Sequence, residues 1–148
     1  MATFTSAAMA KSPKLTHTGV CTVSGSVSSG ASNGGSAGDT YQLCKIPSGA
    51  TITGITVDHT SGSTTCVFDY GLLHASNTAQ SDLSSFANAV TKGTVTRQTK
   101  PGVLPLRVSS TDGAADNMRY AIVQALGVSG TTTTSVQVNF IVNYTMDP

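Results

Sequence analysis

The final segment of the chain shows the clearest alternation of hydrophobic and polar positions. Between positions 135 and 145 the even-numbered residues are apolar or aromatic, and the odd-numbered ones are polar except Ile141. A period of two predicts a β-strand with one buried face. The side chains that we expect in the core are Val136, Val138, Phe140, Val142 and Tyr144.

Further segments carry a weaker form of this pattern. In 50–60 the apolar phase slips at Gly54, and an interior glycine at a phase change is typical of a β-bulge. Pro105 indicates that 103–108 is an edge strand or a bent one. The predicted strands are 15–23, 41–46, 50–60, 64–71, 103–108, 118–126 and 135–145.

Two of these strands have apolar faces that can be named. In 64–71 the apolar face consists of Cys66, Phe68 and Tyr70. In 118–126 the alternation is interrupted by Gln124. The pattern places the larger side chains of this second segment together on one face: Met118, Tyr120, Ile122 and Leu126.

One segment has the spacing of an amphipathic helix. Ser81 and Asp82 offer an N-cap, and apolar residues follow at positions i, i+3, i+4 and i+7. We predict one short helix here, of about two to three turns. Its apolar residues are Leu83, Phe86, Ala87 and Val90.

Two segments lack the apolar residues needed for a core. The Ser/Gly-rich segment 24–38 has Val27 as its single apolar residue larger than Ala, which predicts a flexible surface loop. Residues 1–14 are too polar to form a core element alone. They are predicted to be an N-terminal arm, either ordered only on binding a partner or a disordered terminus. The sandwich domain would then comprise residues 15–148.

The composition favours the same fold class. The chain has 23 Thr, 19 Ser and 15 Gly among 148 residues, and neither Glu nor Trp. Solvent-facing helices depend on Glu, Lys and Arg, whereas Thr and Val suit strands. We predict an all-β, single-domain antiparallel β-sandwich or jelly roll of about eight strands, with the one short helix.

Charge and cysteine content limit the partners. The net charge is +1, and the eight basic residues are scattered among seven Asp, which argues against nucleic-acid binding. We see no signal peptide and no apolar run of membrane-spanning length, so no membrane partner is expected. Cys21, Cys44 and Cys66 have no metal-site spacing and are predicted to be buried in a chain made in a reducing cytosol.

No catalytic motif stands out in the sequence. Without Glu there is no His-Glu-x-x-His zinc site, and no phosphate-binding loop or nucleophile elbow occurs. The segment 112–117 has oxygen ligands that could hold calcium, but a hairpin turn explains it better. We predict no catalytic residues, no cofactor and no metal. The titratable residues that could still converge are His17, Asp58, His59, Asp69 and His74.

A turn-strand motif in the middle of the chain points to a protein family. The run from Lys45 to Val57, KIPSGATITGITV, precedes Phe68-Asp-Tyr-Gly-Leu72 and the predicted helix around Phe86. Together these segments resemble small head proteins of tailed bacteriophages, the capsid decoration or cement proteins. The resemblance covers roughly residues 40 to 90.

This resemblance implies a non-enzymatic virion protein made in the host bacterial cytoplasm. It would sit as a homotrimer on the outer capsid surface, bridge major capsid protein subunits and stabilise the head. The N-terminal arm could supply anchors for the capsid or for neighbouring subunits. The candidate contact residues are Phe4, Met9, Lys11, Lys14 and Leu15.

Two alternatives belong to other functional classes. A lectin-like or receptor-binding β-sandwich, such as a phage fibre tip, would share the fold and the Thr/Ser/Gly bias. Only 5% of the residues are aromatic, which counts against a sugar-stacking site. A small metal-dependent enzyme is the third reading. It would use His17, His59, His74 and Asp69.

Overall fold

The computed structural model shows two β-sheets with a hydrophobic core between them. It describes residues 2–11, 19–29, 38–61, 67–73, 82–91, 105–108, 120–129 and 136–146. The strands are β1 (Thr3–Thr5), β2 (Cys21–Ser28), β3 (Thr40–Pro47), β4 (Ala50–Ser61), β5 (Val67–Leu73), β6 (Asp82–Thr91), β7 (Leu106–Arg107), β8 (Tyr120–Ser129) and β9 (Val136–Met146).

The strands are arranged in the antiparallel sandwich that the sequence predicts. One sheet has the order β1-β3-β8-β5-β6 and the other the order β2-β9-β4-β7. Apart from the parallel pair β1–β3, the described strands pair antiparallel. Within the described ranges, no helix is long and apolar enough to cross a membrane.

Strand β9 confirms the alternation read from the sequence. Its even-numbered residues, from Val136 to Tyr144, are buried, and Ile141 is 46% exposed. It lies between β2 and β4, so its backbone forms hydrogen bonds along both edges. This central position explains why the period-two pattern is clearest here.

The predicted bulge in β4 is also confirmed. The register against β9 shifts between Ile52 and Gly54. The shift returns the later apolar residues to the inner face, so that Ile52, Ile55 and Val57 are all buried. Before β4, a tight turn at Ser48 and Gly49 connects β3 of the five-stranded sheet to β4 of the four-stranded one.

The predicted helix is wrong, because residues 82–91 form the edge strand β6. Its register against β5 shifts twice, and each shift places more residues on β6 than on β5. Such irregularities break the period of two and can mimic helical spacing. Phe86 is fully buried, so the segment still contributes to the core.

The loop predicted over 24–38 is wrong for its first five residues, which belong to β2. This strand needs few apolar residues because it lies at a sheet edge and bonds along its length to β9. Val27 is buried, while Ser24, Gly25 and Ser26 are exposed. The remainder of the predicted loop, 30–37, lies outside the described residues.

The face predicted for β8 is also corrected. The residues that join the core are the intervening ones, Ala121, Val123 and Ala125. Ile122 and Gln124 are buried on the opposite face of the sheet. A central strand covered on both faces does not show which face is the core by alternation alone.

Residues 2–11 are folded onto the domain, which corrects the expectation of a separate arm. β1 pairs with β3, and a short 3-10 helix, Ala7–Ala10, follows. The Ser6 backbone N–H donates to the Gln42 carbonyl at 3.0 Å, and the Ser6 hydroxyl donates to the Leu43 carbonyl. These bonds provide donors for two carbonyl groups of β3 at its bulge, where the register shifts between Gln42 and Cys44.

Candidate functional site

The outer surface of the four-stranded sheet is lined with small polar side chains. We call it the polar face. Cross-strand partners place these residues side by side, since paired residues of adjacent strands project to the same side. Its members are Thr22, Ser24 and Ser26 from β2, Gln137, Asn139, Ile141, Asn143 and Thr145 from β9, and Thr51, Thr56 and Asp58 from β4.

Ile141 lies near the middle of the polar face. Its partners across the two ladders are Ser24 on β2 and Thr56 on β4. It is 46% exposed, and Val20 is the other large exposed apolar residue in the described part of the chain. Its neighbours along β9 and across both ladders carry hydroxyl and amide groups, so Ile141 is an isolated apolar side chain on a polar surface.

Few charges interrupt this surface. Of the described residues on this side of the sheet, only Asp58 and Arg107 are ionisable, and Arg107 lies on the short edge strand β7. Two side-chain hydrogen bonds involve three of the amides. The Thr22 hydroxyl donates to the Asn143 Oδ1 at 2.8 Å. Gln137 Nε2 donates to the Asn139 Oδ1 at 3.0 Å. Hydrogen bonds between side chains therefore order part of the polar face, and its one acidic residue, Asp58, is accompanied by the basic Arg107 on the same side of the sheet.

A second polar arrangement lies inside the core, between the sheets. His59 on β4 is fully buried, and its Nδ1 lies 2.6 Å from the hydroxyl of Tyr70 on β5. The Phe68 ring packs on the imidazole with centroids 4.6 Å apart. Burial, and to a lesser degree the Asp58 carboxylate, raises the pKa of Tyr70. The hydroxyl therefore stays protonated and can donate to the imidazole.

Of the titratable residues singled out in the sequence, the three that the structure describes, Asp58, His59 and Asp69, do not assemble into a site. His59 faces the core, whereas Asp58, its neighbour on the strand, projects from the polar face. Asp69 lies between the buried residues Phe68 and Tyr70 and so projects from the outer side of the other sheet. Within the described ranges no group of three or more His, Cys or Asp residues could hold a metal ion. His17, His74 and the 112–117 segment lie outside those ranges.

The two cysteines in the described part of the chain are buried, as expected. Cys21 is 6% exposed and Cys44 is fully buried. Burial raises the pKa of the Cys44 thiol to about 12. At neutral pH this thiol is protonated and behaves as a small hydrophobic group. Cys66 lies outside the described residues.

The candidate contact residues of the N-terminal segment have different environments. Phe4 is half-buried and stacks on Tyr41 with ring centroids 5.0 Å apart, so it belongs to the fold. Met9 is half-buried in the 3-10 helix, and Lys11 is exposed just after it. Lys14 and Leu15 lie outside the described residues. Met9 and Lys11 therefore keep surface available for a partner.

Sequence reasoning missed the polar face as a candidate site. The signal was present in β9, where Ile141 is the single apolar residue at the odd-numbered positions. That Ile141 lies among the polar side chains of three strands becomes visible only when β2 and β4 are known to flank β9. The order of the strands cannot be read from alternation, because each strand reports its own two faces and not its neighbours.

Comparison with known proteins finds likeness in structure and not in sequence. No protein-family model matches the chain, and no curated protein matches it. A chain in the capsid of Ralstonia phage GP4 superposes with a TM-score of 0.66 and 13% identity, covering 99% of this chain and 99% of that chain.

A second similar chain belongs to another phage capsid. In the capsid asymmetric unit of cyanophage Pam1, a chain superposes with a TM-score of 0.56 and 20% identity. The match covers 86% of this chain and 84% of that chain. At these identities the likeness establishes a shared fold over nearly the whole length.

Proposed function

We propose that this protein is a non-enzymatic structural component of a bacteriophage virion. It decorates the outer surface of the capsid, bridges major capsid protein subunits and stabilises the head. The observation that carries this proposal is the end-to-end correspondence with a chain of the GP4 capsid, 99% of each chain at a TM-score of 0.66. A correspondence of that extent includes nearly all residues of both chains.

The polar face supports a role in assembly. The cores of protein interfaces are depleted of charged residues, and the polar face offers a neutral surface with Ile141 at its middle. Ser and Thr lose little side-chain entropy when an interface forms. A neutral contact of this kind would hold to a shell at the ionic strengths that weaken charge-based binding.

The oligomer that we propose is a homotrimer at three-fold positions of the shell. Its mass in solution would be near three times the 15.0 kDa of one chain. The protein would be made in the host cytoplasm, where Cys21 and Cys44 stay reduced in the core. Lys11 and Met9, beside the 3-10 helix, would add capsid contacts at the margin.

The fibre-tip alternative gains no support from the aromatic residues. All eight Phe and Tyr side chains of the chain are buried or half-buried. The half-buried Tyr120 is covered by Lys45, whose Nζ lies 4.7 Å from the ring centroid. A sugar-stacking platform needs an open aromatic face, so we do not propose a lectin.

Co-sedimentation with shells tests the proposal. Capsids of the phage that encodes the chain, stripped of this protein, are mixed with the purified full chain and pelleted. We expect saturable binding in a fixed ratio to the major capsid protein. Ile141→Lys should weaken binding at least 10-fold. The matched control is Val20→Lys, which places the same charge at the other exposed apolar residue and should bind as the wild type does.

The outcomes distinguish failure of the proposed capsid role from failure of the polar face as the contact. Failure of the wild type to pellet with the shells would overturn the proposed function. Equal binding by wild type and Ile141→Lys would leave the capsid role standing and remove the polar face as the contact. Loss of binding by Val20→Lys alone would move the contact to the region before β2.

A further inference from the structure

The four edge strands of the sandwich differ sharply in how they are protected. β1 has three residues and β7 has two, the latter directly after Pro105. β6 is interrupted by two register shifts. β2 has eight residues and keeps one continuous register against β9 from Cys21 to Ser28. Short, bulged or Pro-flanked edges are the usual protection against unwanted pairing, and β2 has none of these features.

The sequence of β2 carries no other deterrent. CTVSGSVS contains no Lys, no other charged residue and no Pro. Natural edge strands are commonly protected by Lys or Pro on the edge, and inward-pointing charges serve the same end. An edge of this length that lacks all of them is a competent template for another strand.

The backbone of β2 presents its bonding groups to this open side. The Ser29 N–H donates to the Val136 carbonyl at 3.0 Å, so the odd-numbered residues of β2 face β9 in the alternating antiparallel pattern. The N–H and C=O groups of Thr22, Ser24 and Ser26 therefore point away from β9. All three residues are exposed, and in the described part of the chain no second strand pairs with β2.

The middle of the strand is open and well positioned. Gly25 is exposed, which for a residue without a side chain means that the main chain itself is accessible. Its inner side is occupied, because a Cβ there would come within 3.2 Å of Phe140 Cζ. The Phe140 ring thus supports β2 from the core side while leaving its edge open.

We propose that β2 binds β2 of a second copy, antiparallel about a two-fold axis, and joins the two four-stranded sheets edge to edge. The other edges of a second copy are too short or too irregular to pair along eight residues, which leaves β2 itself. Two identical uncharged strands meet without repulsion. The hydroxyls of Thr22, Ser24 and Ser26 would form cross-strand pairs of the Ser/Thr type.

This contact is isologous and separate from the proposed three-fold one. A two-fold pairing cannot close a trimer, so on a shell it would link copies that belong to neighbouring trimers. In solution it would double the mass of a monomer, whereas a trimer, which has three such edges, would associate further as concentration rises. The inference stands on the geometry of β2 and does not depend on the proposed function.

Proline at position 24 tests the pairing without disturbing the fold. The Ser24 N–H makes no bond to β9 in this register, so Ser24→Pro removes an edge donor and keeps the β2–β9 ladder. Ser24→Ala is the matched control. A second pair uses charge: Ser24→Lys at the edge against Thr53→Lys, which is exposed on β4, two strands away.

Sedimentation equilibrium over a wide concentration range is the primary measurement. We expect the mass of the wild type, Ser24→Ala and Thr53→Lys to rise with concentration, by at least two-fold. Ser24→Pro and Ser24→Lys should raise the dissociation constant of that step at least 10-fold. Hydrogen exchange of the wild type should show slower exchange at Thr22, Ser24 and Ser26 as concentration rises.

Two results would overturn the proposal. One is a mass that stays constant with concentration while those three amides exchange at an unchanged rate. The other is a doubling that Ser24→Pro and Ser24→Lys leave intact. If Ser24→Pro abolishes shell binding with no effect on mass, while Ser24→Ala still binds shells, the edge takes a strand of the capsid protein, and the second copy is the wrong occupant.

Discussion

His59 Nδ1 and the Tyr70 hydroxyl meet at 2.6 Å in the middle of the core, one from each sheet. Both side chains are fully buried. A hydrogen bond between facing sheets requires a particular orientation of its two groups, whereas contacts between Val and Ile side chains do not. The pair therefore fixes the relative position of β4 and β5 and identifies one alignment of the two sheets.

Removing the Tyr70 hydroxyl should destabilise the fold. Tyr70→Phe keeps the ring in place but deprives the buried imidazole of this donor, and we expect a loss of about 1–3 kcal/mol in the free energy of unfolding. Chemical denaturation measures it. In a double-mutant cycle with His59→Leu the two losses should not add, with a coupling of about 1 kcal/mol or more. Additive losses would show that the two groups do not interact.

Ser6 should be an anchor of the N-terminal segment through its side-chain hydrogen bonds. It is 6% exposed, its hydroxyl donates to the Leu43 carbonyl, and its Oγ accepts from the Ala8 N–H at 3.2 Å. Ser6→Ala removes both bonds and should cost about 1–2 kcal/mol of stability. Thr5→Ala, at an exposed neighbour, should change stability by less than about 0.5 kcal/mol. Equal effects would mean that the segment is not anchored through Ser6.

The buried Cys44 thiol should make stability fall in alkaline solution. Its pKa rises from 9.0 to about 12 on folding, so above pH 9 the unfolded chain has lost a proton that the folded chain retains. The unfolded state then binds fewer protons, and stability decreases by up to about 1.4 kcal/mol per pH unit as the pH rises towards 12.

Denaturation at pH 8, 9 and 10 checks this slope against two variants. Cys44→Ala should have the shallower dependence on pH. Leu43→Ala removes an adjacent, fully buried side chain that does not titrate, so it should be less stable throughout with the slope of the wild type. The prediction fails if Cys44→Ala and the wild type share one slope.

The turn that switches sheets should require glycine. Gly49 has φ +84°, and its N–H donates to the Val108 carbonyl at 3.0 Å. A Cβ at this position meets no atom within 4 Å, so Gly49→Ala tests backbone strain alone. We expect a loss of about 1–2 kcal/mol. Gly19→Ala, also in open space at φ +81°, should lose a similar amount, and a neutral Gly49→Ala would contradict the account of the turn.

Central strands that bury a single face were more predictable than edge strands for a physical reason. β9 and β4 bury one face along their length, so alternation and even the bulge at Gly54 follow from the sequence. β6 and β2 lie at edges, where bonding to one neighbour holds the chain with few apolar residues. The sequence of the irregular β6 therefore has a helical period and led to the wrong prediction of a helix. The Ser/Gly content of β2 likewise led to the wrong prediction of a loop.

The candidate site was less predictable than the fold. The spacing of His59 and Asp69 suggested convergence, but His59 points into the core from the four-stranded sheet, whereas Asp69 points outward from the five-stranded one. Ile141 stands out in its own strand, yet the polar face exists only because β2, β9 and β4 are adjacent. Pairing between distant segments is decided by the packed core as a whole, and a single strand does not encode it.

The presence of the chain in purified virions tests the central claim most directly. Quantitative mass spectrometry of particles from the phage that encodes it would give its copy number relative to the major capsid protein. A shell component predicts a copy number in a simple ratio to that protein, released when the shell is dissociated. Absence from the particles, or only a few copies that separate with the tail, would contradict it.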